Sequence, residues 1–372
     1  MTLEKYYQKV AALQEKYLKM NIFDNNDYMR QFNVVSAGLL NYLPNIHFEE
    51  HETIFKRILL HQRLSVLEQG NLHVLDSCQL EGFTAETLVL LRSKPAIICT
   101  FHLGSYRLLN LLLAQHEIPF ALVASDHVVQ TQGAVFADLH RQLHGSNLSL
   151  ISAEGPSSAI KMLRELKNGK SLLIYIDGNT GTGKHTIDNQ NSCQVSFLNQ
   201  RIKARRGIGF LAHVAGVPVL PAFCYRRAID DLRLKFFSFI SPEGQQDRDS
   251  FATDLVQTIY NMAAPYIKQY PEQWEAWLYL PKVAQLVNPF PGEKRPEANL
   301  SKGDVKFDTF RFGLFKTASK NYIFDKSNFL SYPITDHLYS KLSSATKNST
   351  CYDGIDAKTY DELLKNGVLI TS

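Results

Sequence analysis

Between residues 95 and 177 short apolar runs alternate with amphipathic segments, and this rhythm restricts the fold more than any other feature. The apolar runs are "PAIICTF" (95–101), "FALVAS" (120–125), "LSLIS" (148–152) and "SLLIYID" (171–177). Each is too short for a stable helix and apolar on both faces, as a strand buried under helices must be. Between them lie "YRLLNLLLAQHE" (106–117), "AVFADLHRQLHG" (134–145) and "SSAIKMLRELKNG" (157–169), whose apolar residues recur at helical spacing. Ser157 is placed to cap the third of these and Gly169 to stop it. After a glycine-rich loop come a strand-like "CQVSFLN" (193–199), a helix (206–216), two strands (218–226, 232–240) and a helix (251–270). The pattern predicts an α/β fold: a mixed central sheet flanked by helices.

Residues 1–90 read as helices that cover the sheet, and residues 91–287 as the α/β domain itself. The stretch "NPFPGEKRPEANLSKGD" (288–304), rich in Pro, Gly and charge, reads as a linker. Residues 305–372 regain folded composition, with aromatic strands "FDTFRFGLF" and "NYIFD" and two helical patterns (333–345, 356–368). They predict a small C-terminal α+β accessory domain.

Apolar residues make up 45% and charged residues 20% of the 372, enough for a real core and too little charge for global disorder. A formal charge of +4 is far from the concentrated excess of a nucleic-acid binder, so no nucleic-acid partner is expected. The five cysteines are odd in number and form no C-x-x-C pair. With Cys99 and Cys224 in apolar runs, they read as reduced thiols in a reducing compartment. The N-terminus is a charged helical pattern instead of a signal peptide, and no apolar run reaches the ~18 residues needed to span a bilayer. The expected location is cytoplasmic, with peripheral contact at the inner face of the membrane compatible with the charge.

"IYIDGNTGTGKHT" (174–186) almost spells a phosphate-binding loop, because Gly178, Gly183 and Lys184 fit G-x-x-x-x-G-K. His185 stands where Ser or Thr should bind magnesium, and the residues that follow carry turn and strand signals, not a helix. The loop is therefore read as an exposed loop after a strand, with neither nucleotide, metal nor other cofactor expected.

More chemistry is concentrated in "AIICTFHLGSYRLL" (96–109). A buried strand delivers His102 to its carboxyl end, and Gly104 and Ser105 are expected to open the next helix, beside free amide groups. Three further segments follow: "LKNGKSLLIYIDGN" (166–179), "VSFLNQRIKARRGIGFLAHVAGVPVLPAFCYR" (195–226) and "YPEQWEAWLYLPK" (270–282). In this order and spacing, over residues 95–282, the chain resembles the lysophospholipid-acyltransferase-like superfamily, in its lipid A late acyltransferase (lauroyl/myristoyl transferase) branch. The resemblance implies a glycerolipid-acyltransferase-like fold and acyl transfer from an acyl-carrier-protein or coenzyme A thioester. The acceptor would be a hydroxyl or amine on a lipid, a peptide or a carrier-bound molecule. His102 would be the general base, with amides from Gly104 to Tyr106 and a nearby cation stabilising the oxyanion.

The family's acid, five residues after the histidine, is replaced here by Arg107. An arginine cannot balance an imidazolium. Asp177, which matches the family's strand-end aspartate, and Glu154 are the candidate substitutes. Arg107, Arg141, Lys184, Arg205 and Arg206, with Gly104 and Ser105, are candidates to hold donor or acceptor. The C-terminal segment loosely resembles the small winged-helix peptide-binding domains of the pyrroloquinoline-quinone chaperone type, which implies a peptide or natural-product acceptor. The alternative to an enzyme is a non-catalytic homologue that binds a lipid or peptide as a pathway scaffold.

Overall fold

The computed structural model describes residues 1–144, 149–178, 191–242, 247–291, 305–345 and 354–371. The protein is mixed α/β, with a central mixed sheet of seven strands flanked by helices and smaller antiparallel sheets toward the C-terminus. It divides into two compact units: Met1–Leu18, Arg57–Phe197 and Arg201–Ala276 form one; Lys19–Lys56, Leu198–Gln200 and Trp277–Ser372 form the other.

The first unit carries the seven-stranded sheet. Its strands are β1 (Gln79–Glu81), β2 (Ile97–Thr100), β3 (Phe120–Ala124), β4 (Ser149–Ser152) and β5 (Ser171–Tyr175). After the hairpin strands β6 (Ser192–Phe197) and β7 (Gln200–Arg205) come β8 (Val219–Ala228) and β9 (Asp231–Phe236). The order across the sheet is β1-β9-β8-β2-β5-β3-β4. From β8 to β4 neighbouring strands are parallel, and β9 and β1 run the other way. The apolar runs make the middle of this sheet, and Ile97, Ile98, Cys99, Leu172 and Leu173 are fully buried there. β1 was not expected; "QLE" has no apolar run, and its pairing with β9 comes from tertiary contact at the sheet edge.

The chain leaves β2 for the outer strands β3 and β4, returns to β5 beside β2, and later places β8 on the other side of β2. Such a reversal leaves a crevice at the carboxyl ends of the central strands, where ligands bind in open α/β sheets. The helix Gly207–Ala215 lies against the helix Arg248–Gln269, and a Cβ on Gly209 would sit 2.4 Å from the Ala252 Cα, so only glycine permits the approach.

In the second unit the strands Phe312–Lys316, Asn321–Asp325 and Leu330–Ile334 form an antiparallel meander. The helix Asn26–Tyr42 packs on its first strand, and Asn33 Nδ2 donates to the Leu314 carbonyl (3.1 Å). Ala37, Phe315 and Phe324 form a small core there. Two short helices, Asp336–Ala345 and Ala357–Lys365, complete the C-terminal segment.

Candidate active site

β2 and β5 are parallel neighbours in a register that pairs Ile97 with Leu172 and Thr100 with Tyr175. Carried two residues past the end of each strand, the same register sets His102 opposite Asp177. The sheet therefore brings the two together by its own geometry. His102 Nδ1 lies 2.8 Å from Asp177 Oδ1, and the His102 amide donates to the same carboxylate at 3.0 and 3.1 Å. Trp274 Nε1 donates to Asp177 Oδ2 at 2.8 Å, so each carboxylate oxygen is held by a ring N–H or an amide.

The segment 273–275 runs antiparallel past 102–104. Leu103 pairs with Trp274, the Gly104 amide donates to the Gln273 carbonyl (3.0 Å), and the Glu275 amide donates to the His102 carbonyl (2.9 Å). Gln273 is clamped to β8 in turn: its side chain accepts from the Arg226 amide (2.8 Å) and donates to the Arg226 carbonyl (2.6 Å). Trp274 is buried against Phe197, with ring centroids 5.3 Å apart.

Two tyrosines enclose the imidazole. Tyr175 stacks on His102 at 4.7 Å between centroids, and Tyr106 meets it edge-on at 4.8 Å. The Tyr106 hydroxyl donates to Glu275 (3.2 Å), which sets a second carboxylate beside the histidine. Only the imidazole of the pair keeps some contact with solvent; its side chain is 21% exposed, and that of Asp177 is 2% exposed. Burial alone would lower the His102 pKa. The charge and hydrogen bond of Asp177, assisted by Glu275 and opposed by Arg107, outweigh it and leave the pKa raised above 6.5. With Nδ1–H donated to Asp177, a neutral ring carries its lone pair on Nε2, the tautomer a general base needs.

Arg107 does not take up the position of an acid partner. Its guanidinium donates to Ser65 Oγ (3.1 Å) and lies over the Tyr106 ring at 4.6 Å. Gly104 and Ser105 do not open a helix either. The helix starts at Leu108, and Gly104 has φ +56, a left-handed turn that puts its amide on Gln273. A Cβ at Gly104 would stand 2.9 Å from the Cys224 carbonyl oxygen, so β8 presses on the turn and forbids a side chain. Ser105 is 1% exposed and gives its hydroxyl to Glu68.

Glu154, beyond β4, interacts electrostatically with Arg205. Arg206 pairs with Asp249 at 3.2 Å and lies 4.9 Å over the Phe210 ring. The Arg141 side chain and Lys184, with the glycine loop from 179 to 190, lie outside the described residues. Tyr175, Trp274, Glu275 and Gln273 had no assigned role in the sequence. "YPEQWEAW" was conspicuous, but nothing in it told which of its side chains turn inward.

Fold and site together define a mixed α/β protein with a histidine–aspartate pair at the carboxyl ends of two central parallel strands. Neither a scan against protein families nor a search of curated proteins finds a match to this chain. Among the described residues no group of three or more His, Cys, Asp or Glu is placed to hold a metal ion, and no helix is long and apolar enough to cross a membrane.

Proposed function

We propose that the protein is an acyltransferase that moves an acyl group from a coenzyme A or acyl-carrier-protein thioester to a hydroxyl or amine. The observation that carries this reading is the His102–Asp177 hydrogen bond, 2.8 Å long, with a second donor on the carboxylate. The resemblance over residues 95–282 supplies the reaction class; the pair supplies a base where that class needs one.

In this reading Asp177 holds the Nδ1–H tautomer and balances the charge that His102 acquires. Nε2 removes the proton of the acceptor as its oxygen or nitrogen bonds to the thioester carbonyl carbon. The C–S bond then breaks, and the proton passes from His102 to the departing thiolate. The acceptor is a lipid, a peptide or a carrier-bound molecule. The reaction belongs in the cytoplasm, where such thioesters are made, at or beside the inner face of the membrane. Arg107, standing where the family carries its acid, favours the alternative of a non-catalytic scaffold. With a carboxylate already bonded to His102, Arg107 ceases to argue for it.

The test is incubation of the protein with medium- and long-chain acyl thioesters of coenzyme A and of acyl carrier protein, over a panel of glycolipid, fatty amine and peptide acceptors. Free thiol and product mass are read together. Acyl transfer that His102→Ala abolishes is the expected result. Transfer that survives His102→Ala removes the histidine from the mechanism, and no transfer with any pair favours the scaffold.

A further inference from the structure

Beneath the His102 turn lies a second charged cluster that the reaction itself does not use. Glu68 ends the helix His51–Glu68 and is fully buried. Its Oε1 accepts from the Tyr6 hydroxyl (2.6 Å) and from Arg226 Nη2 (2.6 Å), and its Oε2 accepts from Ser105 Oγ. Arg226 Nη2 also reaches Ser105 Oγ at 3.4 Å, and the guanidinium donates to the Ile229 carbonyl. The ion pair is 4% and 0% exposed. Stability alone is a poor reason for such an arrangement, because a well-packed apolar replacement is often as stable as a buried ion pair.

What the cluster touches suggests another reason. Ser105 sits between Gly104, whose left-handed turn is pressed against β8, and Tyr106, whose ring meets His102. Arg226 belongs to β8, and its backbone holds the Gln273 side chain from both its N–H and its C=O. Gln273 precedes Trp274, the donor to Asp177. The cluster thus borders the chain on each side of the pair: the turn that carries His102 and the segment that steadies Asp177. It also ties in the N-terminal helix Leu3–Lys19 through Tyr6.

We propose that Glu68 is a positioning residue, which fixes the orientation of His102 toward Asp177 through Ser105, with Tyr6 and Arg226 as its supports. The rate arm of the test rests on the acyl-transfer reading; the spectroscopic arm does not. Ser105 carries the test, since removing its hydroxyl leaves the Glu68–Arg226 pair intact. In the full-length protein, the His102 Nδ1–H resonance and the His102 titration are followed by NMR, beside kcat and KM with a thioester donor. In Ser105→Ala the Nδ1–H signal shifts or exchanges faster, the titration midpoint falls, and kcat drops about tenfold with KM within about twofold, as a misplaced base requires. Tyr6→Phe moves the same signals in the same direction by less, and it decides the matter if Ser105→Ala does not fold. A folded Ser105→Ala protein with wild-type imidazole signals and wild-type kcat overturns the proposal. If the wild-type protein transfers no acyl group at all, the functional reading fails, while the imidazole signals still decide whether Glu68 positions His102.

Discussion

His102 in the first unit and Lys326 in the second are both bases enclosed by protein, and their pKa values move in opposite directions. Lys326 is 1% exposed; its Nζ donates to the Thr309 carbonyl at 2.8 Å and lies 4.6 Å from the Phe48 ring centroid. Burial pushes its pKa down to about 7, against a smaller pull upward from Asp308. His102 also loses hydration, yet it is held above 6.5. The difference is the nearest anion. Asp177 touches the imidazole directly, whereas Lys326 has a neutral carbonyl and aromatic faces as its close neighbours. Desolvation is common to the two sites; a carboxylate in hydrogen-bond contact decides which way the pKa moves.

The largest break in this comparison is Asp177→Asn. Without the carboxylate, burial outweighs what Glu275 still contributes, so the His102 pKa falls. The acid limb of a pH–rate profile, whose midpoint lies above 6.5 in the wild type, moves down. Activity falls by about 10²–10⁴-fold even at high pH, because the tautomer is no longer held. An unchanged profile would show that Asp177 is not the partner that matters.

Lys326→Met tests the other side. In the folded protein Lys326 gives up its proton near pH 7, and in the unfolded chain near 10.5. Between those values the unfolded state binds the extra proton, so stability rises with pH by up to about 1.4 kcal/mol per unit. The substitution removes that slope, as chemical denaturation at pH 7, 8 and 9 would reveal. His51, fully buried and pushed down to about 3 by burial and by Lys326, acts at the other end of the scale. It makes the fold lose stability as pH drops below about 6.5, where the unfolded imidazole takes up a proton.

The smallest effect belongs to Trp274→Phe. It removes one donor from Asp177 and keeps most of the ring's packing, at a cost of about 1–3 kcal/mol. The carboxylate, relieved of one hydrogen bond, draws the His102 proton more strongly, and the titration midpoint rises. Asp177→Asn and Trp274→Phe thus move the same midpoint in opposite directions.

The sheet was legible in the sequence because a strand buried on both faces has to be apolar throughout, and "AIICTF" and "SLLIYI" could be little else. Asp177 was legible for a related reason: it follows a buried strand, as His102 does. The left-handed turn at Gly104 was not. Glycine there was visible, but the pressure from the Cys224 carbonyl that demands it comes from β8, 120 residues on. The partners of the pair from the far end of the chain were hidden in the same way: Trp274, on Asp177, and Glu275, on Tyr106, sit where one short 3-10 helix gives way to another, a stretch whose sequence carries no α-helix or strand period. Nor does a sequence record that Asn33 is bonded to a carbonyl 281 residues later.

The register of β2 and β5 has one further consequence. The acid partner of His102 is written across two strands, at equal steps beyond each, and the number of residues connecting them is irrelevant to the contact. Beyond the turn that follows His102, loops and helices between 108 and 170 can lengthen or shorten without parting the pair, whereas one residue inserted between Thr100 and His102 would separate it. A pattern that counts along the chain, histidine then four residues then acid, has no means of registering such a pair. A search for proteins built this way should score positions relative to strand ends, and treat the distance between them as free.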